Sequence, residues 1–546
     1  MTLFKRIATT ILYMSRGERS RVHKPGFLKK PGLWTRVCCT VMTFMLVLAA
    51  CDSSPAPDAS TPTPAINPND PTPAGAEVAT DVPPTATPAP TPFSQRYTQG
   101  VAPTPDAPKP IRERGVFTST YTIQRGDTLG AIALSFNVSE DDLRRVNQLT
   151  VRQANQLRAG ATLLMPQPVE LHTPSLKLIP DSELVNGPTA IDFVMAGYVN
   201  MQRGYLANYT ELIDGVRLSG PQVIQRVSEQ FSVHPRLLLA LLEYSGGWVT
   251  NPNPAGDQLL FPLGWKRTNL NSLYVQLNWA AVRLNEGYYG WRLDNRYITR
   301  LDDNVYVFMG NGINAGTAGL QNYLGAISTS AFFTDTMGDN GFMQTYRKLF
   351  GDAWQYDIGP LVPEGVQQPA LQLPWAKGET WYFTGGPHYA WARGTPWGAL
   401  DFAPFSTLGC TPLQDWVTAM AEGRVVRSVS GEVVQSLDSR QDERAGWSVL
   451  YMHVGAVGRV GVGDWVRARD RIGHPSCEGG VAPAAHLHLA RKYNGEWINA
   501  DGALPFTVGG WVASEQDTEY DGSLKRDGQT REACECKLNK TNGVGW

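Results

Sequence analysis

Five of the eight histidines fall between positions 388 and 488, and they share that span with an aspartate in a pattern that can hold a metal. His388 stands in Gly385-Gly386-Pro387-His388, and Asp401 in Leu400-Asp401-Phe402. His486 and His488 flank Leu487 in Ala484-Ala485-His486-Leu487-His488-Leu489. Side chains on a strand alternate faces, so a strand through Leu487 predicts both imidazoles turned into one cleft. Two neutral imidazoles and a carboxylate suit a catalytic zinc site with three protein ligands and one open position for water. His474, in Gly473-His474-Pro475, reads instead as a turn residue with a solvated ring.

The elements that must position these residues occur in one order. Gly-Gly-Pro-His, Trp391, Leu-Asp-Phe, Tyr451-Met452-His453 and His-Leu-His follow one another along the chain. This ordered set resembles the lysostaphin-like (LytM-type) zinc metallopeptidases over roughly 378–500. Many relatives place three residues between the ligand His and Asp. The twelve found here look like their β-lytic branch. The resemblance implies an antiparallel β metallopeptidase domain at 370–510, with Zn2+ held by His388, Asp401 and His488. His486 and His453 would face the metal without binding it. One would accept a proton from the attacking water, and the other would hydrogen-bond the oxyanion. Which takes which role is open at this stage.

The N-terminal region reads as an address. Residues 37–50 form an apolar run preceded by Lys29, Lys30 and Arg36. The run is shorter than the ~20 residues of a membrane-spanning helix and fits a signal-peptide core. It ends in Leu48-Ala49-Ala50-Cys51, which resembles the bacterial lipobox. That implies a lipoprotein signal over 1–51, lipidation of Cys51, and an exported, wall-associated protein held to the membrane by a lipid anchor. A start at Met14 would shorten the long leading segment. Residues 52–118 form a Pro/Thr-rich linker, with 16 of the 39 prolines between 52 and 112. Such a stretch buries too little apolar surface to offset the entropy of ordering.

A small module follows at 119–168. Tyr121-Thr-Ile-Gln-Arg predicts a strand, and Asp127 or Thr128 caps a helix carrying Leu129, Ile132, Ala133 and Phe136 at helical spacing. A second helix is expected from Ser139 through Leu143 and Val146, then a strand ending before Pro166. With Asn147 and Gly160 at their offsets, the module resembles a LysM domain, which implies a β-α-α-β fold that binds the glycan strands of peptidoglycan.

Residues 180–360 read as mainly helical. Pro221 sits in a helix's first turn, followed by the apolar stripe Val223, Ile224, Val227 and Phe231. The segments Leu239–Gly246 and Asn314–Leu324 resemble parts of lysozyme-like lytic transglycosylases. The catalytic glutamate's place falls on Ser245, while Glu243 lies two residues earlier, about 200° around a helix. The expectation is a degenerate lysozyme-like domain, with Glu243 the candidate glycosidase acid if it is active.

Cys410 and Cys477 flank the histidine motifs and can pair in an exported chain. Cys534 and Cys536 lie in a segment, 515–546, that reads as a polar tail. A net charge of −2 gives no basic footprint, so nucleic acid is not a predicted partner. The expected architecture is therefore multidomain: a LysM module, a mainly α middle domain and a C-terminal antiparallel β domain. The expected function is a tethered zinc metalloendopeptidase acting on peptidoglycan. Two rivals are a catalytically inactive wall-binding activator of another hydrolase and a muramidase or transglycosylase acting through Glu243.

Overall fold

The computed structural model describes residues 120–546 apart from short stretches, the longest being 166–172. The signal peptide, Cys51 and the linker 52–118 lie outside the described residues. In the first module β1 (Thr120–Thr122) pairs antiparallel with β2 (Thr162–Leu164). Helix α1 (Leu129–Ser135) begins where Thr128 Oγ1 accepts the Ala131 N–H at 3.2 Å. Asp127 does not cap; its carboxylate accepts from Gln124 N and the Tyr121 hydroxyl, closing the turn between strand and helix. Leu129, Ile132, Ala133 and Leu143 bury against Ile123 and Leu163, as their spacing predicts. Ser139 and Val146, the ends of the expected second helix, lie outside the described residues.

The middle segment is helical, with two short hairpins at 210–219 and 298–308. Helix α2 (Gly220–Phe231) carries Pro221 in its first turn, and the Gln222 side chain accepts the Ser219 N–H at 2.8 Å. Helix α3 (Pro235–Gly246) stops at Gly247, which adopts a left-handed φ of 65°. The longest helix, α4 (Leu273–Arg292), packs along α5 (Ala315–Ala326). Gly319 permits their close approach, because a Cβ there would meet the Leu284 carbonyl oxygen at 2.7 Å.

The C-terminal region is built on a nine-stranded sheet. Its main strands are β3 (Thr380–His388), β4 (Ala399–Ala403), β5 (Gly423–Val429), β6 (Glu432–Ser436), β7 (Trp447–Met452), β8 (Trp465–Val466) and β9 (Leu487–Tyr493). A meander of β10 (Thr507–Val508), β11 (Trp511–Glu515), β12 (Gly522–Arg526) and β13 (Gln529–Glu532) forms a second sheet. The chain then returns as β14 (Gly543–Gly545) to the large sheet, whose order is β8-β5-β6-β7-β9-β4-β3-β14. Every pairing in it is antiparallel, as expected. Residues 515–546 are thus not a polar tail. Leu524 and Val544 are fully buried, and they anchor strands whose other residues are polar or glycine.

Alternation along the strands sorts the sheet into two faces. Leu400, Phe402, Val449, Tyr451, Leu487 and Leu489 join one core with Trp511, Ala513 and Leu524 of the small sheet. Ala399, Leu450, Met452 and Ala490 belong instead to the core of the helical segment. The helices therefore pack on the face that also carries Asp401 and His488. Polar ties cross the same seam: Tyr289 accepts the Trp497 N–H at 2.9 Å, Gln230 donates to Glu432 at 2.8 Å, and Arg393 pairs with Glu286 at 2.8 Å.

Candidate metal centre

Three adjacent strands bring the predicted ligands together. His488 on β9 lies directly opposite Asp401 on β4, and His388 closes β3 on the other side of β4. The β3–β4 register shifts between Gly385 and His388, an irregularity that re-aims the last residues of β3 toward the aspartate. Gly385 is required beside it, since a Cβ there would stand 2.8 Å from Asp401 Oδ2.

His388 Nε2 and His488 Nδ1 are 3.0 Å apart, and each is 3.3 Å from Asp401 Oδ1. Four ligands at zinc's usual ~2.0–2.1 Å in a tetrahedron are separated by roughly 3.3 Å. The triangle fits. The other ring nitrogen of each histidine faces a backbone carbonyl, Gly386 at 2.8 Å for His388 and Ala390 at 3.1 Å for His488. A carbonyl can only accept, so those nitrogens carry the protons and the facing pair present bare lone pairs. Neither ring then donates to Asp401 Oδ1, a buried oxygen left without a hydrogen-bond partner. Two lone pairs and an orphaned carboxylate oxygen this close call for a cation among them. The Asp401 carboxylate favours positive charge at this place. Burial disfavours charge on His388, but the Asp401 carboxylate outweighs it and raises the imidazole's pKa. Burial likewise opposes the Asp401 charge, and His388 and His486 hold it well below the usual carboxylate range.

His453 and His486 complete the group. Their ring centroids are 4.4 Å apart, and His486 Nε2 lies 3.7 Å from Asp401 Oδ2. His453 Nδ1 faces the Glu478 carbonyl and His486 Nδ1 that of Ala484, both at 2.8 Å, so each ring keeps Nε2 as an acceptor. Burial, with His486 and His488 nearby, lowers the His453 pKa to about 3 and keeps that ring neutral.

Residues 177–364 match the family model for the LasA N-terminal domain, and residues 121–166 match the LysM domain. Protease LasA of Pseudomonas aeruginosa is 24% identical over 381 residues, covering 65% of this chain and 83% of that protein in strain PAO1. The LasA of strain UCBPP-PA14 is 25% identical over the same span. This chain carries a LysM domain and a LasA-type N-terminal segment, and it is similar to proteases named LasA. Among solved structures, the deep-sea M23 metalloprotease pseudoalterin is 24% identical, with 30% of this chain and 96% of its own chain covered, and a TM-score of 0.27. The catalytic domain of lysostaphin from Staphylococcus simulans is 22% identical, with 23% and 89% covered and a TM-score of 0.16.

The helical segment, expected to resemble lysozymes, is thus the part that matches the LasA N-terminal domain. Glu243 is not placed as a glycosidase acid there. Its carboxylate accepts the Val249 and Thr250 N–H groups at 2.9 and 3.0 Å and the Thr250 hydroxyl, closing the turn after α3. Asn314 likewise serves the fold, donating to the Ile179 carbonyl and to Asp181. His474 packs on Trp416 with its Nδ1 on the Asp415 carbonyl. Cys410 pairs with Cys477, and Cys534 with Cys536.

Tyr520 is the site residue that sequence reasoning missed. It stacks on His388 with centroids 4.3 Å apart, while its backbone bonds Gly386 and Pro387. A tyrosine in an apparently polar tail carries no pattern that signals this contact. Beside Tyr389, the residue after His388, a cavity of about 700 Å³ opens between α4 and the large sheet, lined by Arg393, Trp397 and Trp497.

Proposed function

We propose that this chain is a zinc metalloendopeptidase that hydrolyses peptide bonds in peptidoglycan, held at the cell surface and targeted by its LysM domain. The observation that carries the reading is the triangle of bare donor atoms on His388, Asp401 and His488. These residues would hold zinc through Nε2, Oδ1 and Nδ1. Bound zinc supplies Lewis-acid polarisation of the scissile carbonyl and an acidified water. With Nδ1 of His453 and of His486 each engaged by a backbone carbonyl, Nε2 is the atom through which either ring can take a proton from that water and return it to the leaving amine. A neighbouring ring, once protonated, donates to the oxyanion of the tetrahedral intermediate. The similarity to proteases named LasA and the LysM match support peptidoglycan as substrate.

Incubating the full chain with purified peptidoglycan should release new amino termini and no new reducing or anhydro sugar ends. Sugar ends alone would install the glycosidase reading in its place. Wall binding without any product would install the inactive activator.

Surface anchoring rests on Leu48-Ala49-Ala50-Cys51. Two acyl chains at Cys51 would bind a membrane stably where one would not. Cys51→Ser should therefore shift the protein from the membrane to the soluble or unprocessed fraction. A correctly cleaved Cys51→Ser protein that stays membrane-bound would rule the lipid anchor out.

A further inference from the structure

We infer that the Cys410–Cys477 disulfide positions the two non-ligand histidines of the site, fixing the spacing on which turnover depends. This inference rests on the proposed hydrolytic role of His453 and His486.

Cys477 stands between two residues that both hold His453. Ser476 donates its N–H at 2.6 Å and its hydroxyl at 2.9 Å to the His453 carbonyl. On the other side, the Glu478 carbonyl accepts from His453 Nδ1, and the Glu478 N–H is itself fixed by Ser476 Oγ at 3.0 Å. Cys410 directly follows Gly409, whose carbonyl accepts the Ala485 N–H at 2.8 Å, one residue before His486. Thr407 reinforces that contact by donating to the Ala485 carbonyl at 3.2 Å. The covalent bond therefore joins the segment that grips His453 to the segment that grips the approach to His486.

Two further observations show that this grip has work to perform. His453 has a φ of 64°, the left-handed region that a side-chain-bearing residue occupies only when its surroundings impose it. The segment 404–410 also lacks any regular strand or helix, and Phe405 and Leu408 are well exposed. Packing alone therefore restrains it weakly. The three metal ligands, by contrast, sit on β3, β4 and β9, whose ladders pair with one another and with β7, whereas Ser476, beside Cys477, bridges His486 just ahead of β9. The disulfide thus bears on His453 and His486 and not on metal retention.

A misplacement near 1 Å in a reacting group can cost about 10²-fold in rate. In the full chain, Cys410→Ser with Cys477→Ser should keep wild-type zinc content and KM within about twofold, while kcat falls roughly 10- to 100-fold. A variant that misfolds is bypassed by reducing the folded Cys534→Ser, Cys536→Ser protein with a phosphine, which converts the exposed Cys410–Cys477 disulfide to two thiols; activity should fall likewise and return on reoxidation. The third readout is independent of activity. With 15N-labelled histidine, the Nδ1 proton of His453 should exchange slowly with solvent in the oxidised protein and rapidly in the reduced one. Unchanged kcat and unchanged exchange on breaking the bond would overturn the inference, as would zinc loss in step with activity. If the oxidised wild type releases no amines while the exchange still responds to reduction, the hydrolytic reading fails and the positioning stands.

Discussion

Replacing His388 or Asp401 by alanine is expected to abolish zinc binding and peptide hydrolysis together. Each change removes one of three donor atoms that lie 3.0–3.3 Å apart. His488→Ala belongs to the same class. His486→Ala should differ: zinc is largely retained, and turnover falls by about 10²–10⁴-fold, the usual cost of losing a general acid or base. His453→Ala should show a similar or smaller loss. Metal content by atomic emission, measured beside kcat for each purified variant, separates the two classes. The assignment within the His-Leu-His pair is reversed if His486→Ala strips the metal and His488→Ala keeps it. Full activity in all five variants would end the zinc peptidase reading.

The second large effect concerns stability. Glu443 is buried, accepts from Arg427 at 3.0 and 3.2 Å, and pairs with Lys492. Arg427 in turn meets Glu432, which accepts from Gln230 of α2, so this network lies on the seam between helices and sheet. Burial opposes the Glu443 charge, but Arg427 and Lys492 prevail and depress its pKa to about 2. Glu443→Gln leaves two buried cations short of a counter-charge and should cost about 3–5 kcal/mol. That corresponds to a drop in Tm of roughly 4–6 degrees for a unit of this size. The folded-state pKa lies below the unfolded value near ~4.3, so the stabilisation is complete above that value and is lost as pH falls toward 2. Thermal scans of both proteins should therefore diverge at neutral pH and converge between about pH 4 and pH 2. A gap that persists undiminished at the acid end would mean that the ion pairs do not carry the effect.

The cluster of His388, Asp401 and His488 was legible because these are side chains on strands, and alternation converts the two-residue spacing of His486 and His488 into a shared face. The β domain was legible for the same reason. The carbonyls of Gly386, Ala390 and Glu478, which set the ring tautomers, were not, because a backbone acceptor has no residue type to reveal it. Glu243 was singled out through a lysozyme resemblance, while its use in closing a turn depends on Val249 and Thr250 folding back onto it. Residues 515–546 misled because their strands alternate few apolar positions, and Val544 finds its partner Trp381 only through a long-range pairing. Local composition records exposure to water; it does not record which distant strand a segment completes.

That pairing also bears on how the protein behaves at high concentration. Strand β3 runs nine residues and, without β14, would be the last strand of the large sheet. Its outer row of N–H and C=O groups would then be a template for another chain. Residues 543–545 cover that row at Thr380, Trp381 and Tyr382, while Phe383 N–H is satisfied by the Asn542 carbonyl. Because β14 is only three residues long and two of them are glycine, it offers little edge of its own to extend. Trimming the chain at 540, or loading a rigid fusion onto Trp546, would trade this blunt end for a long sticky one, and self-association would follow before any loss of chemistry.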